Sequence, residues 1–166
     1  MTYFELEVKI ILTVLETPHV VVGAAIATKV VTPALAIPLA FASHFILEKV
    51  PHWNPHLNSE TEKFGRPTRE STYIVIADVI ASLALGGYIA SRALPDWGQS
   101  ATILAAAFAA VLPDVLEGPY FFLNMRNDLI KRWINFQKSI QVDTGIVPGL
   151  ITQVITVLAA FWWILS

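Results

Sequence analysis

The chain has 166 residues, 55% of them hydrophobic and 14% charged, and its 11 basic and 13 acidic side chains leave a formal net charge of −2. An ordinary soluble domain carries about 25% charged residues, so this balance excludes a water-facing globule and points to an integral membrane protein; the near-neutral charge also removes the electrostatic case for a nucleic-acid partner. Cysteine is absent, which excludes disulfides and thiolate metal sites.

The length fits one domain, residues 1–166, integral to the membrane throughout. The first residues, MTYFELEVKI, carry glutamates where a signal peptide has a basic region, so no cleavable export signal is expected. Residues 1–17 mix glutamates with Phe4, Leu6, Ile10, Ile11 and Leu15, a pattern that predicts an amphipathic helix lying at the membrane surface. Next comes a short apolar segment, 19–31, in which Thr17 is placed to cap a helix with Pro18 in its first turn. It is too short to span alone, and is either a half-depth helix packed on protein or continuous with the next.

A spanning helix needs roughly 20 mostly apolar residues. Four further segments meet or approach that length: 33–50, 72–91, 99–116 and 146–165. The predicted fold class is therefore all-α, a polytopic transmembrane bundle of four or five membrane helices with interfacial helices. Two connections, 52–71 and 117–145, are long and polar. The second places Met125, Leu129, Ile130, Trp133, Ile134 and Ile140 at helical spacing among Arg126, Lys131 and Lys138, which predicts a second interfacial helix. Gly86 and Gly87 suggest close helix packing. If the chain crosses at each segment in turn, nearly all the Lys and Arg residues fall on one side, leaving Lys29 and Arg92 on the other. Basic residues mark the cytoplasmic side. The expectation is a prokaryotic cytoplasmic membrane with both long connections cytoplasmic and lipids as the immediate partners.

On this frame the polar residues converge. His19 opens the short segment, His44 and Glu48 lie in the last turns of the next helix, and His52 and His56 follow Pro51. Asp78 lies about 9 Å into the following helix at 1.5 Å per residue, Asp114 and Glu117 close the one after, and Gln153 sits at a similar depth in the last. Acids within a bilayer usually face a protein interior or a water-filled cavity, because an unpaired carboxylate in hydrocarbon is costly. Imidazole and carboxylate together suit Zn²⁺ or a similar first-row ion, and His44 and Glu48 at i, i+4 share one helix face.

Blander readings stand beside this one. A single histidine such as His52 or His56 at a helix end is more often a headgroup-level anchor. Asp78 also fits a hydrogen-bonded structural acid between helices. Asp114 in LPD fits a proline turn, and Lys131 a lipid-headgroup contact. No G-x-S-x-G and no H-E-x-x-H occurs, and Ser43 diverges from the adjacent His44 by about 100° on a helix.

PHVVVGAAI (18–26), SHFILEKVPHW (43–53) and VLPDV (111–115) resemble the motifs of small prokaryotic inner-membrane proteins described as metal-dependent hydrolases. The resemblance implies His19, His44, Glu48 and Asp114 as metal-site positions. Three features depart from the pattern. Glu48 stands in place of an aspartate, the LPD element follows the SH element instead of preceding it, and Gln137 and Gln141 occupy a segment that is His-rich in the group.

The preferred expectation is a metal-dependent hydrolase-like protein holding zinc or manganese and acting on a phosphoester or lipid. Its metal residues are His19, His44, Glu48, His52, Asp78 and Asp114, with Glu48 and Asp78 catalytic. The alternatives are a non-catalytic scaffold or accessory subunit with a protein partner in the membrane, and a small transporter or proton relay. A relay requires polar residues in the far leaflet, where GGYIAS and VLAAFWWIL offer almost none.

Overall fold

The computed structural model describes residues 16–166. The interfacial helix expected over 1–17 lies almost wholly outside the described residues. Among those described, the architecture is all-helical: α1 (Thr17–Lys29), α2 (Pro33–Leu47), α3 (Leu57–Phe64), α4 (Arg69–Ser91), α5 (Trp97–Val115), α6 (Gly118–Phe122), α7 (Asp128–Ile140) and α8 (Ile146–Leu165). Three of them, α4, α5 and α8, are long and apolar enough to cross a membrane. At 1.5 Å per residue α1 and α2 reach about 20 and 22 Å, less than the roughly 30 Å hydrocarbon core.

The short first segment is thus a separate helix packed on protein, and it occupies the middle of the bundle. α1 contacts α2, α4, α5 and α8. Its Val21, Ala24, Ala25 and Ala27 are fully buried, against Ala36 and Ala40 of α2 and Ala106 and Ala110 of α5. Without water to drive apolar association, membrane helices gain from close backbone approach, which small residues permit. Gly23 shows how close: a Cβ there would lie 2.7 Å from Ala110 Cβ and 2.8 Å from the Ala106 carbonyl oxygen. Of the Gly86–Gly87 pair only Gly86 faces a neighbour, with a Cβ falling 3.0 Å from Val20 Cγ1; Gly87 has open space. The outward faces are apolar and exposed, as in Ile80 and Leu83 of α4 and Ile151 and Leu158 of α8. Lipid-facing surface requires that.

The helix starts show how local sequence sets the elements. Thr68 caps α4 by accepting from the Ser71 N–H, Asp96 caps α5 from the Gln99 N–H, and Asn127 caps α7 from the Leu129 N–H. α1 differs, and here the expectation for Thr17 is corrected. Thr17 is the first helical residue and makes no side-chain cap. The Asp78 carboxylate of α4 accepts instead, from the Glu16 N–H at 2.5 Å, the Thr17 N–H at 3.3 Å and the Thr17 hydroxyl at 2.8 Å. A carboxylate is a stronger acceptor than a hydroxyl and complements the helix dipole, so it displaces the local cap.

The two long connections hold more helix than their polarity suggests. Connection 52–71 contains α3, ended by Gly65 at φ 76°, a left-handed conformation that glycine adopts without strain. Connection 117–145 contains α6 and the expected amphipathic helix, α7. Tyr120, Phe121 and Ile134 form a second apolar cluster with Leu57 and Ile130, which folds α3, α6 and α7 over one end of the bundle. Backbone pairing fastens the cover: the Val142 N–H donates to the Glu48 carbonyl, and the His52 N–H to the Val142 carbonyl. α8 holds the same loop, with the Thr152 hydroxyl donating to the Pro51 carbonyl and Gln153 Nε2 to the Trp53 carbonyl.

Candidate metal centre

The covered end of the bundle is where the polar residues meet. His19 leaves the first turn of α1, His44 the last turn of α2, Glu48 caps α2, and Asp114 stands in the last turn of α5. The His19 and His44 rings lie 4.5 Å apart at 32°. One nitrogen from each, and one carboxylate oxygen of Asp114, all lie within 4.8 Å of one another; among the described residues this is the group able to share an ion. Glu48 Oε1 sits 3.4 Å from His19 Nε2 and 3.8 Å from His52 Nε2. Burial alone would raise the Glu48 carboxyl, but His19, His52 and His44 outweigh it and hold it below the usual carboxylate range.

Pro113 helps to shape the site. It lies inside α5 and removes the N–H that the Ala109 carbonyl would have accepted. In this last turn the Ala110 carbonyl faces His44 Nδ1 at 3.0 Å, and the Pro113 carbonyl accepts from Trp133 Nε1 of α7 at 2.9 Å. Asp114 is therefore more than a turn marker: its Oδ2 lies 3.6 Å from His44 Nδ1.

Gln137 and Gln141 are both in the site. Gln137 Oε1 lies 3.0 Å from His44 Nε2, and its Nε2 donates to Asp114 Oδ1 and Glu117 Oε1. Gln141 Nε2 lies 3.0 Å from His52 Nε2, while His52 Nδ1 donates to the Val50 carbonyl at 2.7 Å. His52 therefore faces an acceptor at Nδ1 and the Gln141 amide at Nε2. His44 is different, because acceptors face both of its nitrogens and a neutral ring has one N–H. Turning the Gln137 amide by 180° serves His44 but sets its oxygen against two carboxyls, which then need a proton. Glu117 can carry it: burial and the nearby Asp114 push its carboxyl up to about 8.

Asp78 is buried and tied to Glu16 and Thr17, which makes it the anchor of the α1 start and hence of His19. His56 is exposed at the start of α3. The site residue that sequence reasoning missed is Glu16, read only as one more glutamate of a surface helix. Burial raises its carboxyl well above the ordinary value, and the nearby Asp114, Asp78 and Glu48 carboxylates add to that. The available signal was its place three residues before His19, one helical turn away.

The donor set fits a divalent ion. Two imidazoles and a carboxylate match the ligand preferences of zinc and manganese. Among the described residues four buried side-chain atoms lack a hydrogen-bond partner, and two of them, His19 Nδ1 and Glu16 Oε2, lie at this site, a state that normally calls for an ion or water. Beside the group lies a cavity of about 410 Å³, lined by Glu16, His19, Glu48, Asp114, Glu117 and Gln137 among others. That volume is in the range of small-molecule sites. Compared with known proteins, the chain matches no family, no curated protein and no solved structure.

Proposed function

We propose that this protein is a metal-dependent hydrolase-like protein of a prokaryotic cytoplasmic membrane, with zinc or manganese held by His19, His44 and Asp114 at the cytoplasmic end of the bundle. The observation that carries this reading is the approach of two histidines and a carboxylate from three helices, beside a cavity of about 410 Å³. When bound, the ion polarises an ester and lowers the pKa of water. Glu48, held anionic beside His19, is placed to take the proton from the attacking water, a role worth about 10²–10⁴ in rate. Asp78 positions His19 by fixing the start of α1. Gln137 orients His44 through the imidazole Nε2, as outer partners of metal-binding histidines do.

A scaffold is the second reading, favoured by one observation: Gln137 already ties His44, Asp114 and Glu117 together by hydrogen bonds. Hydrolysis separates the two. Detergent-purified protein loaded with zinc or manganese is incubated with bis(p-nitrophenyl) phosphate and with p-nitrophenyl acetate. The hydrolase reading expects turnover of at least one ester, reduced about 100-fold or more in Glu48→Gln and abolished in Asp114→Asn. Turnover no greater than in protein-free controls, with metal demonstrably bound, favours the scaffold.

A further inference from the structure

The cavity has two unlike walls. One is polar, with His56 and Lys138 exposed at its rim. The other is apolar and belongs to the outer surface of the bundle. Val75 and Val79 come from α4, and Val115 and Phe122 from the corner where α5 passes into α6. Val79, Val115 and Phe122 are 41%, 48% and 42% exposed, so this wall is open to whatever surrounds the helices. Val75 and Val79 lie about 9 and 15 Å along α4 from Arg69 at 1.5 Å per residue. If Arg69 marks the headgroup level, both face acyl chains.

We propose that the cavity takes a membrane lipid, which passes sideways from the bilayer between α4 and the α5–α6 corner and brings its headgroup to His19, His44 and Asp114. The route follows from the cavity walls, and what becomes of the headgroup rests on the metal-dependent reading above. Size agrees with partial insertion. At roughly 30 Å³ per water-sized group, the cavity holds about a dozen such groups. That accommodates a headgroup and its ester linkages and leaves the chains outside, against Val79 and Phe122.

Charge argues against a small soluble anion. The described lining includes five acids, Glu16, Glu48, Asp114, Glu117 and Asp143, and Lys138 as its one Lys or Arg; with Glu16 and Glu117 held protonated by burial, three carboxylates still face that one cation. Such a lining does not concentrate anions from water. A lipid needs no steering, because the bilayer already holds it at high local concentration beside the opening.

The test uses the full chain in vesicles of phosphatidylethanolamine and phosphatidylglycerol. These contain a phosphatidylglycerol analogue with a diazirine near the carboxyl end of one acyl chain. After irradiation, peptide mass spectrometry compares labelling of segments 75–79 and 115–122 with that of the outward face of α8, at Ile151 and Leu158. The proposal expects several-fold enrichment at the first two segments, lost in Val79→Trp/Val115→Trp while α8 labelling is unchanged. Both substitutions lie at exposed positions, and an unchanged circular dichroism spectrum confirms their fold. Even labelling of all outward faces, or enrichment unaffected by the two tryptophans, overturns it. Metal content measured on the same samples keeps the two ideas apart. Metal with even labelling defeats the lipid route alone, whereas enrichment without metal defeats the hydrolase reading alone.

Discussion

Asp78→Ala is expected to lower the stability of this protein by at least about 3 kcal/mol, since a buried donor left unpaired costs about 1–3 kcal/mol and this carboxylate serves several. It accepts from the backbone N–H groups of Glu16 and Thr17 and from the Thr17 hydroxyl, and it is 1% exposed. The Ser82 hydroxyl, 3.0 Å from that of Thr17, can take over this one donor, but the two backbone N–H groups at the helix start lose the acceptor they share. For a chain of this size the loss corresponds to a fall of about 6–12 °C in the unfolding midpoint, followed by intrinsic fluorescence in detergent. Asp78→Asn retains one acceptor oxygen and is expected to fall between the alanine variant and the wild type. Unchanged stability in Asp78→Ala, together with lost metal, would make Asp78 a ligand and not the anchor of α1.

Gly23→Leu has the second large effect. Even a Cβ at this position meets Ala110 Cβ at 2.7 Å, the Ala106 carbonyl oxygen at 2.8 Å and Ala107 Cα at 3.2 Å. Two of the three are backbone atoms that no rotamer change can move, so α1 and α5 must separate. Overpacking of this kind typically costs 1–3 kcal/mol, and a leucine at a helix crossing belongs at or above about 3 kcal/mol. The same separation pulls His19 away from Asp114, so metal affinity is expected to drop by about 10-fold or more, as it does when support for a metal ligand is lost. Gly87→Leu is the control: a Cβ there meets nothing within 4 Å, and its effect is expected to stay within about 0.5 kcal/mol. Equal stability of the two variants would contradict the tight α1–α5 crossing.

The convergence of polar residues was legible in the sequence because it follows from topology alone. Once the apolar segments are threaded back and forth, His19, His44, Asp78 and Asp114 must share one end of the bundle, and they do. The length of α1 was legible too, as was the amphipathic helix that became α7. Which acid does what was not legible. Asp78 and Asp114 look alike in sequence, each a single acid in an apolar run. One caps a neighbouring helix and the other faces His44 because the helices carrying them are rotated differently about their axes, and hydropathy does not report rotation. Gln137 and Gln141 could be read from the sequence only as substitutions. The fold shows each bonded to a histidine, 93 and 89 residues distant in sequence. Glu16 was hidden by its surroundings: three glutamates in the first 16 residues look like a solvated helix face until the bundle closes over the last of them.

The central claim is that His19, His44 and Asp114 hold a divalent cation together, and metal content tests it most directly. Tag-free protein purified in detergent is incubated with zinc or manganese, freed of unbound metal by gel filtration and analysed by elemental mass spectrometry. The wild type is compared with His44→Ala, Asp114→Asn and, as a substitution outside the site, Gly87→Ala. The expected result is about one ion per chain in the wild type and in Gly87→Ala, and loss of it in both site variants while their helical content is retained. A folded wild type that retains neither ion, or site variants that retain as much as the wild type, would contradict it and leave a hydrogen-bonded polar plug joining the helices.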